Sequence, residues 1–252
     1  MNIVVIGGTG RIGTGLVQML TEHGHDVVAA APSTGVNAVN GEGVTDVLHG
    51  AHVVVDVSNS PSFEEAAATE FFTTSTANLL RAETPAGVGH HVVLSVVGTE
   101  LLARQSGYFR AKLTQENLVA AGPIPYSIVR ATQFFEFLGS IADSATVEGT
   151  VRLPDKLIQP MAAVDVAEAV AITAVNAPRN GIAEVAGPEP FRLPDLIRTA
   201  LTARGDGREI VTDPAARYWG VDLDERTLVP AAGATLFDTR FEDWLLRTAA
   251  KA

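Results

Sequence analysis

Seven residues near the amino terminus, Gly7-Gly8-Thr9-Gly10-Arg11-Ile12-Gly13, constrain the fold more than any other stretch. The apolar run Ile3-Val4-Val5-Ile6 precedes them, and a helical pattern with Ile12, Leu16, Met19 and Leu20 on one face follows. Glycine lets a backbone turn sharply and approach a ligand with no Cβ in the way. The helix that follows offers unpaired N–H groups and the positive end of its dipole, which suits a phosphate. Strand, glycine turn and helix in that order are the setting of a dinucleotide loop. The spacing is Gly-x-x-Gly-x-x-Gly rather than the commoner Gly-x-Gly-x-x-Gly, and taken alone it is equally that of a plain strand-to-helix turn.

The same alternation recurs downstream. His25–Ala31 reads as a strand stopped by Pro32, and residues 33–43 read as loop, with at most a short strand around Val36 to Val39. Val44 to Gly50 has room for one or two helical turns, and His52–Val57 reads as a buried strand ended by Ser58-Asn59-Ser60-Pro61. Residues 62–83 carry a 3.6-residue period that points Phe63, Ala67, Phe71 and Leu79-Leu80 inward. His91–Val97 is the next strand, Gly107–Ala121 the next helix and Tyr126–Arg130 a further strand. Strands and helices alternating at about thirty residues imply an α/β fold, a Rossmann-type doubly wound parallel sheet.

After residue 130 the rhythm loosens. Phe134 to Leu138 starts a helix or turn, Val147 to Leu153 is an extended stretch, and Asp165 stands where an N-cap would open a helix over 166–175. A strand at Ile182–Ala186 and a helix at Leu193–Ala203 follow. Residues 209–212 and 219–228 read as peripheral, and a terminal amphipathic helix runs from about Thr239 with Phe241, Trp244 and Leu245. Residues 1–130 are thus expected to form a dinucleotide-binding core. Residues 131–252 form a smaller C-terminal, substrate-side elaboration with no linker between.

Charge and composition exclude several roles. A net charge of −11 over 252 residues disfavours nucleic acid, whose backbone needs a basic stripe. No apolar run reaches the ~18–20 residues of a membrane span, and no basic segment precedes the first apolar run. With zero cysteines there is no disulfide or thiolate zinc site, which suits a cytoplasmic protein. His23 and His25 lack carboxylates at metal-ligand spacing, so no metal is expected. His90-His91 read as polar edge residues rather than ligands. The partner expected is a small-molecule substrate, and oligomeric state stays open, a homodimer included.

Tyr108-x-x-x-Lys112 is the second informative stretch. With 3 Tyr and 3 Lys in the chain, chance places such a pair only about 0.04 times. Residues four apart on a helix share a face, and an ammonium beside a phenol lowers the phenol pKa toward one useful in proton transfer. The alternatives are a solvated Tyr and Lys, or a Lys112 paired with Glu116. Ser95 lies near the carboxyl end of its strand, as do Gly7, Ser58-Asn59-Ser60 and Ala131-Thr132, and ligands of open parallel sheets sit beyond those ends. The Ser95 hydroxyl there would polarise a substrate carbonyl, bond the phenol, or satisfy its own backbone.

These residues resemble the short-chain dehydrogenase/reductase superfamily, and in particular its NmrA-like, NAD(P)H-binding atypical branch. The likeness rests on the loop at 7–13, Ser95-Val96-Val97-Gly98, Tyr108-x-x-x-Lys112-x-x-x-Glu116 and Pro125-Tyr126-Ser127-Ile128-Val129-Arg130-Ala131-Thr132. Gln159-Pro160-Met161, Asp165-Val166-Ala167 and Ala186-Gly187-Pro188-Glu189 extend it over most of residues 1–200. The resemblance implies an oxidoreductase that reduces a small carbonyl or quinone-type acceptor, with hydride from a nicotinamide. Tyr108 would be the acid/base, Ser95 the carbonyl polariser, and Lys112 the residue that binds the nicotinamide ribose and tunes Tyr108. Many members of this branch lack a working triad and act as dinucleotide sensors, which is the alternative function. Here all three residue types are present, while Ser58-Asn59-Ser60 matches the adenine-side turn only loosely.

Cofactor choice turns on the end of the second strand. An NAD site places an Asp or Glu there for the ribose 2′-OH, whereas this chain has Ala30-Ala31-Pro32-Ser33-Thr34. No Lys or Arg lies between Arg11 and Arg81. The expectation is NADP(H) over NAD(H), its 2′-phosphate held by Arg11, Ser33 and Thr34. Gly7, Thr9, Gly10 and Ile12 would cradle the pyrophosphate, with Ser58, Asn59, Ser60, Lys112, Ala131 and Thr132 as further contacts. Phe134, Phe135 and Phe137 are core residues or a pocket wall, and Tyr218 and Trp219 a lid or a subunit contact.

Overall fold

A computed structural model describes residues 1–249. The last residues of the 131–252 segment fall outside the described residues. In chain order the first elements are β1 (Asn2–Ile6), α1 (Arg11–Glu22), β2 (Asp26–Ala30), α2 (Val44–Val47), β3 (Val53–Asp56), α3 (Glu65–Ala86) and β4 (His90–Val96). Then come α4 (Thr99–Leu102), α5 (Gly107–Ala121), β5 (Tyr126–Ala131), α6 (Leu138–Ser144), β6 (Thr146–Val147), β7 (Thr150–Leu153) and β8 (Leu157–Ile158). The chain continues through α7 (Ala163–Val175), β9 (Gly181–Ala186), β10 (Phe191–Arg192), α8 (Leu193–Ala203), β11 (Glu209–Thr212), β12 (Thr235–Leu236) and α9 (Phe241–Ala249).

The main sheet is parallel and seven-stranded, in the order β12-β9-β5-β4-β3-β1-β2. Strand β1 lies between β2 and β3, with Ile3 opposite both Val27 and Val53. The run of Val and Ile in β1 and β3 is explained by that position: apart from Asn2, every residue of both strands is buried. Edge strand β2 alternates exposed and half-buried residues before Ala30. The chain order reverses beside β1, which makes the carboxyl ends of β1 and β3 the switch point where such sheets hold ligands.

By compactness the chain interleaves two units. One comprises residues 1–95, 107–130 and 166–183, and the other 96–106, 131–165 and 184–249 of the described chain. Residues 96–106 thus group with segments that follow residue 130, and residues 166–183 with segments that precede it. The second unit also holds an antiparallel pair β10-β8 and a three-stranded sheet β11-β7-β6.

Several local expectations need correction. On α3 the inward face is turned by one residue: Ala68 and Phe72 are fully buried, Phe63 is 61% exposed and Ala67 is exposed. The helix begins only at Glu65, so Phe63 lies in the preceding turn and does not share the helix period. Residues 33–43 are the loop expected of them, with only a bridge of Asn37 with Glu42 beside a 3-10 turn at Pro32–Thr34. His90 and His91 are not edge residues, because β4 is central and both are buried. His90 bonds Ser127 at 2.9 Å, and His91 pairs with Glu83 of α3 at 2.7 Å. Burial pulls His91 down, but the Glu83 carboxylate, aided by Asp56, leaves its pKa raised. Asp165 is not an N-cap, since α7 starts two residues earlier; it is buried and accepts the Thr239 hydroxyl at 2.7 Å. The 219–228 stretch is not peripheral either: Val221, Leu223 and Leu228 are core residues of the second unit.

Candidate functional site

The glycine loop is a tight turn on which the backbone of the next strand end rests. Gly7 has φ +79°, and a Cβ on it would stand 2.9 Å from the Cα and N of Ser58. Gly13 packs α1 against the loop, where a Cβ would come within 2.1 Å of the Gly7 carbonyl oxygen. Gly10 is the N-cap of α1 in extended conformation, and no side chain caps the helix. No acidic residue sits in the first turn of the helix. Gly7, Thr9, Gly10, Arg11 and Ile12 are thus together, with Thr9, Gly10 and Arg11 exposed.

Across the end of β2, the Thr9 and Ser33 hydroxyls lie 3.4 Å apart. Thr34 differs from expectation. Its hydroxyl accepts from the Ala31 N–H at 2.9 Å and sits 3.0 Å from the Ala29 and Ala31 carbonyls, closing its own turn. Of the two hydroxyls expected to hold a 2′-phosphate, Ser33 faces the loop and Thr34 does not.

The end of β3 carries a residue that the sequence reading did not single out. Asp56 is 1% exposed. Its Oδ1 accepts from the Ser58 N–H at 2.9 Å and the Ser58 hydroxyl at 2.6 Å, and its Oδ2 accepts from Gln115 Nε2 at 2.9 Å. Gln115 Oε1 in turn accepts from Lys112 Nζ at 2.7 Å, and that ammonium lies 4.7 Å from the centre of the Phe72 ring. Burial pulls the Lys112 pKa down to about 8 against the opposing pull of Asp56 and Glu116. A signal was present in the sequence: a carboxylate ending a run of valines must find partners when the strand is buried.

Asn59, next to Ser58, accepts the Tyr108 phenolic proton at 2.8 Å. Ser60 is buried and bonds the Ser62 carbonyl. The Tyr108 ring is partly exposed and sits 5.0 Å from Phe63, 5.3 Å from Phe109 and 6.0 Å from Phe72. The expected lowering of its pKa by Lys112 does not occur. Burial among these rings pushes the phenol up to about 12, partly offset by the bond to Asn59. Lys112 shares its helix face but directs its ammonium to Gln115.

Ser95 is 2% exposed and donates to Glu116 Oε1 at 2.5 Å. The same carboxylate takes a fork from Arg130, at 3.0 Å from Nε and 2.6 Å from the terminal nitrogen. Glu116 therefore pairs with Arg130 rather than Lys112. Ser95, Tyr108 and Lys112 do not form one hydrogen-bonded set: their polar atoms end on Glu116, Asn59 and Gln115 respectively. The Ser95 hydroxyl, expected to polarise a carbonyl, is here directed to the Glu116 carboxylate of the buried pair.

In the second unit, Ala131 and Thr132 are each 1% exposed; the Ala131 carbonyl accepts from Val97, and the Thr132 N–H donates to Val185. The Thr132 hydroxyl has no hydrogen-bond partner. Phe135 is core, packed on Phe241 and Trp244, while Phe137 is 42% exposed beside Phe134. Tyr218 is buried, and Trp219 is 42% exposed. Among the described residues no helix is long and apolar enough to cross a membrane, and no cluster of His, Cys, Asp and Glu could hold a metal.

No protein-family model and no curated protein matches the chain. Solved structures share its fold. A dTDP-4-dehydrorhamnose reductase from Clostridium acetobutylicum is 17% identical over 100% of this chain and 99% of that one, with a TM-score of 0.73. A UDP-glucose 4-epimerase from Thermotoga maritima, solved with UDP-glucose, is 18% identical over 99% and 98%, also at 0.73. An NADPH-dependent quinone oxidoreductase from Escherichia coli, solved with NADPH, is 19% identical over 85% and 78%, at 0.66. At these identities the likeness is one of fold.

Proposed function

We propose that this chain is a cytoplasmic NADP(H)-dependent oxidoreductase of the short-chain dehydrogenase/reductase type, with the motifs of the NmrA-like branch, that reduces a small carbonyl or quinone-type acceptor. One juxtaposition carries the reading. Gly7 rests on Ser58, and the adjacent Asn59 takes the proton of Tyr108. A partly exposed phenol is thus bonded to the residue next to Ser58, on which the glycine turn rests. The fold is shared with reductases and an epimerase, one of them an NADPH-dependent quinone oxidoreductase.

The residues present fit a dinucleotide: the turn admits no Cβ at Gly7 or Gly13, and the α1 N-terminus lacks a side-chain cap. When bound, the nicotinamide supplies a hydride. The N–H groups of Thr9 and Ile12 would bind the pyrophosphate, Gly7 and Gly10, whose own N–H groups bond the Ala30 and Gly7 carbonyls, would let it approach without a Cβ in the way, and Arg11 and Ser33 would bind the 2′-phosphate. Lys112 holds a ribose hydroxyl, and Ala131 and Thr132 are contacts proposed from the motif alone. Tyr108, a neutral phenol at pH 7 with its pKa near 12, gives its proton to the acceptor oxygen and regains one from solvent.

One observation favours the sensor reading: the Ser95 hydroxyl is turned to Glu116. Following NADPH absorbance with a panel of quinones and aldehydes separates the two. An oxidoreductase consumes NADPH with some member of the panel; a sensor binds NADP⁺ and consumes none. Arg11→Ala is expected to weaken NADPH binding roughly ten- to a hundredfold, the scale of one charge-assisted hydrogen bond, and to leave NADH binding nearly unchanged. Equal losses for both, measured by fluorescence titration, would remove Arg11 from the 2′-phosphate site.

A further inference from the structure

The buried face of α5 is polar where a helix against a sheet is ordinarily apolar: Lys112, Gln115 and Glu116 are 4%, 0% and 3% exposed. Glu116 belongs to the Arg130 pair. Lys112 and Gln115 have no such reason to be there, and the charge opposite them is Asp56.

We propose that Asp56 and Gln115 are positioning residues for Lys112, the carboxylate dictating which way the Gln115 amide faces and the amide oxygen thereby holding the ammonium in place. An ionised carboxylate only accepts hydrogen bonds, so Asp56 must be met by the NH₂ end of Gln115. That leaves the carbonyl end for Lys112, and the distances of 2.9 Å and 2.7 Å fit both bonds. Asp56 is itself fixed by two bonds from Ser58, on whose backbone Gly7 rests. The relay therefore runs from the end of β3, under the glycine loop, to the Lys112 ammonium. An Asn at position 56 could donate as well as accept. The Gln115 amide would then be free to turn over and present its NH₂ group to the ammonium, which has only donors.

This inference rests on the reading of Lys112 as part of a dinucleotide site, but its test does not require a cofactor. The sequence holds three lysines, Lys112, Lys156 and Lys251, so a protein labelled at lysine Cε gives three side-chain resonances, and Lys112→Met identifies one. In the native protein the Lys112 resonance should titrate near pH 8, where burial places it. In Asp56→Asn its proton affinity should fall roughly tenfold, as on losing an opposite charge nearby. In Gln115→Met, which keeps the charge on Asp56 but breaks the relay, the midpoint should move in the same direction.

A shift in Asp56→Asn without one in Gln115→Met would mean that Asp56 acts through space, and would overturn the relay. An unchanged or raised midpoint in both would overturn it too. Should Asp56→Asn fail to fold by circular dichroism, Gln115→Met decides alone: a lowered midpoint supports the relay and an unchanged one overturns it. NADPH titration of the native protein is read separately. Absence of binding there would sink the dinucleotide reading and leave the Lys112 result standing.

Discussion

Replacing Tyr108 by Phe is expected to lower kcat for the accepted carbonyl or quinone by about 10²- to 10⁴-fold, the usual contribution of a positioned general acid. NADPH affinity should change little. The substitution removes one oxygen and leaves the ring against Phe63, Phe72 and Phe109, so the aromatic packing survives. The substitution loses the bond to the exposed Asn59, and the mutant should fold with nearly native stability. Single-turnover NADPH oxidation provides the measurement. Turnover equal to that of the native protein would remove Tyr108 as the proton donor. For acceptors whose reduced form needs no proton in the rate-limiting step, the loss should be smallest, which makes a comparison of aldehydes with quinones informative.

The largest expected effect on stability comes from Glu116→Ala. Glu116 and Arg130 are buried together, with side chains 3% and 7% exposed, and Ser95 caps the same carboxylate. Removing the carboxylate takes its counter-charge from a buried guanidinium and leaves the Ser95 hydroxyl without its acceptor. Breaking a buried pair from one side typically costs about 3–5 kcal/mol, since the remaining charge is desolvated and uncompensated. Urea unfolding should register this as a large drop in midpoint with little change in slope. A loss below about 1 kcal/mol would mean that Arg130 finds another anchor. Glu116→Gln keeps an acceptor for both partners, and its cost should be clearly smaller.

Much of the fold was legible because the governing signals are local. Valine-rich runs, a period of 3.6 and glycines at turns were enough for the parallel sheet and most of its helices. Where the reading slipped, a tertiary neighbour had decided the matter. Phe63 and Ala67 belong to the same apparent period as Phe71, yet α3 starts only at Glu65, and the face it buries is set by its packing on α5. His90 and His91 look like the polar lip of a strand, and only the placement of β4 in mid-sheet makes them buried groups that need Ser127 and Glu83. The 219–228 stretch has no periodicity to betray that Val221, Leu223 and Leu228 are core.

The chemistry divides along the same line. The sequence by itself determined the glycine turn, its strand and its helix, because their geometry depends on residues that are neighbours in the chain. It also placed Tyr108 and Lys112 on one helix face and put Ser95 at a strand end. Which hydrogen bonds those side chains make was decided only by the tertiary structure, because each partner is remote in sequence or competes with nearer ones. Asn59 takes Tyr108 from 49 residues away, Asp56 takes Gln115 from 59, and Glu116 takes Ser95 and Arg130 in preference to Lys112. A buried charge must be paired wherever its partner lies in the chain, and that requirement, absent from any local pattern, arranges the candidate site.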